Sequence, residues 1–88
     1  MKLIIAILRE PNEEPVSRAL TSANFRVTYI ASTGGLLHHG MTTLLIGVDD
    51  AQVETALDII RKNCQPATEP DTRNATIFVV KVDEFTHF

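Results

Sequence analysis

Residues 25–48 read FRVTYIASTGGLLHHGMTTLLIGV, two strand-like runs set around a Thr33-Gly34-Gly35 turn. In residues 25–31 the side chains alternate, with Phe25, Val27, Tyr29 and Ala31 on one face and Arg26, Thr28 and Ile30 on the other, because a strand repeats every two residues. The first face is core, and the second presents a guanidinium and a hydroxyl. Residues 42–48, TTLLIGV, are apolar almost throughout, the pattern of an interior strand covered on both sides. Gly47 interrupts that run, and a glycine inside a strand marks a bulge or the close approach of a ligand or a second backbone. Gly34 and Gly35 lack the Cβ that would block positive φ or hold a phosphate away from main-chain N–H groups. A Gly-Gly pair alone reads as an ordinary hairpin turn. The polar residues on both sides make this hairpin a candidate for holding something small.

Working outward, residues 2–8 form a continuous apolar run with β-branched Ile4, Ile5 and Ile7, which reads as a central strand. A helix follows, with Asn12 placed to cap it, Glu13 and Glu14 near its positive end, and Pro15 in its first turn. Val16, Ala19, Leu20 and Ala23 form its apolar stripe, and Asn24 suits a left-handed terminator. After the hairpin, Asp49 or Asp50 caps a second helix whose stripe is Val53, Ala56, Leu57 and Ile60, with Arg61 and Lys62 at its negative end. Residues 64–74, with Pro66 and Pro70, read as a loop, and residues 75–82, ATIFVVKV, as the last strand.

The order strand, helix, strand, strand, helix, strand is the split βαβ or ferredoxin-like pattern, an α+β fold. Right-handed crossovers give an antiparallel sheet in the order 4-1-3-2 with both helices on one face. Two helices cover one face only, yet the first and third strands are apolar on both. A second copy of the chain, in a closed cyclic oligomer, is the simplest cover.

Composition narrows the function. The 88 residues make one domain, which buries about 60% of the surface of its unfolded chain. With 8 basic against 11 acidic residues the net charge is −3, which gives no footprint for double-stranded nucleic acid. No apolar run reaches the roughly 18 residues of a membrane span. The opening MKLIIAIL reads as a strand rather than a signal peptide, and a single cysteine, Cys64, forms no internal disulfide. Both predict a cytoplasmic protein. His38 and His39 are adjacent, so on an extended segment they point apart, and no third metal ligand stands near them in sequence. No nucleophile and base, P-loop or metal-ligand motif is present, so no enzyme, catalytic residue, metal site or cofactor is predicted.

These residues together resemble the PII-like cyclic-di-AMP receptor family, small trimeric bacterial signalling proteins. The likeness rests on MKLIIAI at the start, NFRVT at residues 24–28, ASTGG at 31–35, G-x-T-T at 40–43 followed by L-x-G-V, the helix-ending I-x-x-x-C, and the closing A-T-x-F-V with V-x-x-F-x-x-F. It implies a ferredoxin-like homotrimer that binds a small nucleotide, cyclic-di-AMP or another adenine nucleotide, at its subunit clefts and signals to a protein partner. The implied ligand-binding residues are Asn24, Arg26, Thr28, Gly35, Leu36, Leu37, Met41, Gly47 and His87. Arg26 would pair with a phosphodiester, the backbone at residues 35–37 would wrap a base and phosphate, and Gly47 would leave room.

Three of those positions depart from the family pattern. Leu36 stands for Phe, Met41 for Asn and His87 for Gln, and the loop after the second helix is shorter than in well-known members. Two alternatives therefore stay open beside the sensor. One is a structural or protein-interaction trimer that has lost the nucleotide, and the other is a metal-handling trimer like the divalent-cation-tolerance proteins.

Overall fold

A computed structural model of the chain describes residues 1–31, 41–64, 75–84 and 86. Its elements are β1 (Lys2–Arg9), α1 (Glu10–Ser22), β2 (Arg26–Ala31), β3 (Met41–Val48), α2 (Val53–Asn63) and β4 (Ala75–Lys81). The strands join as one antiparallel sheet in the order β2-β3-β1-β4. This is the ferredoxin-like α+β arrangement, with the strand order expected from the sequence. The Gly34-Gly35 turn, His38 and His39, the loop after α2 at residues 65–74, and His87 lie outside the described residues.

Strand alternation decides where the core sits. Ile4, Ala6 and Leu8 of β1 and Leu44, Ile46 and Val48 of β3 share one face. There they meet Val16 and Leu20 of α1 and Ala56 and Ile60 of α2 in a single cluster, each at most 3% exposed. Each fully buried aliphatic side chain is worth about 1.5–3 kcal/mol relative to exposure. Burial fades along the edge strand β2, from Phe25 just before it at 8% exposure to Tyr29 at 55%. The expectation that Tyr29 joins the core is therefore corrected, because the helices seat over β1 and β3 and leave the outer end of β2 uncovered.

The ends of α1 set the approach to β2. The helix begins at Glu10 rather than at Asn12, with Arg9 extended at the N-cap and no side-chain cap. Pro11 takes the first-turn place that its fixed φ suits. Asn12 is buried at 2% exposure, and Pro15 lies within the helix. At the other end Asn24 takes the left-handed conformation foreseen for it, with φ 69°. The Asn24 N–H donates to the Thr21 carbonyl and the Phe25 N–H to the Leu20 carbonyl, both at 3.0 Å, the pair of bonds that defines a Schellman turn. Leu20 and Phe25 lie in the same buried cluster, supplying the apolar contact that accompanies such a turn.

The second helix also starts differently. A short 3₁₀ turn, Asp50–Gln52, precedes α2, and neither Asp49 nor Asp50 caps through its side chain. The Gln52 N–H instead donates to the Asp49 carbonyl at 2.9 Å, and the Asp50 carboxylate has another partner, described below.

Leu44→Ala removes a fully buried side chain from the centre of this cluster, so urea unfolding should show a loss of about 2–5 kcal/mol. A loss below about 1 kcal/mol would show that the helices do not pack over β3 as described.

Candidate ligand site

The sheet face away from the helices carries three cross-strand rows. Arg26, Gly47, Leu3 and Val80 form the first, Thr28, Leu45, Ile5 and Phe78 the second, and Ile30, Thr43, Ile7 and Thr76 the third. Ile5, Ile7 and Leu45 are half-buried by their neighbours on the sheet, while Ile30, Phe78 and Val80 stand 44%, 52% and 41% exposed. No element of the described chain packs over this face.

Leu3, Arg26 and Gly47 of the first row and Thr28 and Leu45 of the second, with Met1 and Val82, line an open depression of about 610 Å³. That volume lies in the usual range for small-molecule sites. The lining side chains are apolar apart from the Arg26 guanidinium and the Thr28 hydroxyl, and both project from β2 because the strand period puts residues 26 and 28 on one face. Among the described residues no carboxylate pairs with Arg26. An arginine has five N–H donors in a planar fork, and here that fork stands free beside an apolar floor.

Gly47 lies directly across the ladder from Arg26. A Cβ built there meets nothing within 4 Å, so packing inside the chain does not require the missing side chain. Its effect is to leave open space next to the guanidinium.

Met1, one of the lining residues, carries an ammonium that is paired with a carboxylate. Asp50 Oδ1 lies 3.1 Å from the Met1 ammonium. That hydrogen bond, then the ammonium's charge, hold the Asp50 carboxyl below its usual range, with smaller help from Lys2 and Lys81. The Val82 N–H donates to the Met1 carbonyl at 3.2 Å, which closes this end of the depression.

Of the residues singled out in the sequence, Arg26, Thr28 and Gly47 are brought together. Asn24 does not line the depression. Met41 shares the open face but sits at the opposite end of β3 from Gly47. Gly35, Leu36, Leu37 and His87 lie outside the described residues. Met1, Leu3, Leu45 and Val82 were not singled out, although alternation along β1 and β3 already puts Leu3 and Leu45 on a common face. Among the described residues no group of three His, Cys, Asp or Glu side chains is placed to hold a metal ion, and no helix is long and apolar enough to cross a membrane. Burial raises the Cys64 thiol above its ordinary pKa, the opposite of what a reactive thiolate needs.

The fold is ferredoxin-like, with helices on one side of the sheet and a guanidinium-bearing depression on the other. Residues 1–71 match the cyclic-di-AMP receptor family, and the chain belongs to that family, whose members are nucleotide-binding signalling proteins. The chain is also similar to a protein from Pediococcus pentosaceus, described as functionally unknown, whose crystal structure superposes with a TM-score of 0.80 at 33% identity. The similarity covers 99% of this chain and 96% of that one.

Gly47→Ala should fold normally, gaining up to about 1 kcal/mol from the lost glycine freedom, because its methyl meets no protein atom. A drop in stability by more than about 1 kcal/mol in thermal or urea unfolding would show that the space beside Arg26 is not open.

Proposed function

We propose that this protein is a cytoplasmic PII-like nucleotide sensor, a homotrimer that binds cyclic-di-AMP or another adenine nucleotide around Arg26 and relays its presence to a protein partner. The observation that carries this reading is the unpaired Arg26 guanidinium beside Thr28 and Gly47, in a chain of the cyclic-di-AMP receptor family.

Arg26 supplies charge-assisted hydrogen bonds to one phosphodiester, each worth on the order of 1.5–3 kcal/mol where water is excluded. Thr28 orients the ligand, and Leu3 and Leu45 give the sugar or base an apolar surface. The family resemblance adds Gly35, Leu36, Leu37 and His87 as further contacts to the ligand. A net charge of −3 is no obstacle, since a ligand of this size responds to the local patch. The role assigned is binding, with no chemical step.

The bare sheet face supports the trimer reading. Covering Ile30, Phe78 and Val80 with the same face of other copies removes apolar area from water, at roughly 25 cal/mol per Å². A trimer that no longer binds nucleotide is the second reading, favoured by Leu36 and Met41 at positions where the family has Phe and Asn.

Titration calorimetry with cyclic-di-AMP and a panel of adenine mononucleotides, on protein whose mass is measured by light scattering, separates the two. The expected result is a three-chain particle that binds cyclic-di-AMP, with Arg26→Ala weakening binding by at least about tenfold, the loss of one charged hydrogen bond. A folded trimer silent to every nucleotide establishes the second reading.

A further inference from the structure

We propose that Asn24 is a positioning residue. Its left-handed backbone fixes the side of the sheet on which Arg26 emerges, and its side chain does not touch the ligand.

The argument starts at the end of α1. Asn24 is the one non-glycine with positive φ among the described residues. Asparagine tolerates that region, glycine does so freely, and β-branched residues do not. The Schellman bonds to the Leu20 and Thr21 carbonyls, at 3.0 Å each, form only when the chain reverses there. The reversal sends Phe25 into the core, at 8% exposure, and makes Arg26 the first residue of β2, paired with Gly47. Parity does the rest. With Phe25 held inward, Arg26 must face the open side, and a slip of one residue would turn it toward the helices.

The Asn24 side chain takes no visible part. It is exposed, makes no hydrogen bond among the described residues, and is absent from the lining of the depression. Its influence on the site runs through the backbone to a residue two positions on.

The test compares Asn24→Gly with Asn24→Val by two readouts, cross-strand nuclear Overhauser effects of the Arg26–Gly47 pair and calorimetric binding of cyclic-di-AMP. Asn24→Gly should keep the cross-strand signals and bind within about twofold of the unmodified chain, whereas Asn24→Val should lose those signals and bind as weakly as Arg26→Ala. If Asn24→Val does not fold, Asn24→Ala imposes a milder strain and supplies the comparison. Asn24→Gly that keeps its signals yet binds as weakly as Arg26→Ala overturns the proposal, since the side chain is then a contact. So does a folded Asn24→Val with its Arg26–Gly47 signals intact. The binding readout rests on the nucleotide-sensor reading. If the unmodified chain binds no nucleotide, that reading fails, and the cross-strand signals alone decide the role of Asn24.

Discussion

Two helices can cover only one face of a four-stranded sheet, and this limit governs the rest of the molecule. Ile4, Leu8, Leu44 and Ile46 take the covered face and are fully buried. Strand alternation then assigns Leu3, Ile5, Ile7 and Leu45 to the bare face, where they are half-buried. Among the described residues no third layer covers that face. It is an apolar surface from which Arg26 and Thr28 of β2 project.

Arg26 shares a row with Leu3 and Val80, and among the described residues no carboxylate pairs with it. A guanidinium beside apolar side chains has fewer water partners to give up than one in open solvent, so an incoming anion gains more from pairing with it. Gly47 across the ladder keeps the approach open. Among the side chains that line the depression, the polar part is small, one guanidinium and one hydroxyl.

Much of this was legible in the sequence, and the failures have physical causes. Strand order followed from two strand-helix units and the handedness of their crossovers. Asn24 was recognised as a helix terminator because few residues other than glycine accept positive φ. The helix starts were misplaced. Pro11 and Pro15 both suit a first turn, and Asn12, Asp49 and Asp50 are all good capping residues, so local preference could not choose among them. In the folded chain Asn12 is buried instead, and Asp50 answers a charge from the start of the chain. Tyr29 fitted the core face by alternation, but which end of an edge strand the helices reach is set by tertiary packing. Arg26, Thr28 and Gly47 were visible through motif and periodicity. Met1, Leu3, Leu45 and Val82 complete the depression through the ladder register, which no single segment displays.

The central claim is that the free guanidinium of Arg26, opposite Gly47, is the anchor for a nucleotide phosphate. A crystal structure of the protein grown with cyclic-di-AMP tests it most directly. The account predicts a phosphate oxygen at about 2.7–2.9 Å from the Arg26 guanidinium, with the ligand passing over Gly47 and resting on Leu3 and Leu45. Nucleotide bound elsewhere, with Arg26 facing solvent or paired to a carboxylate of another copy, would contradict it.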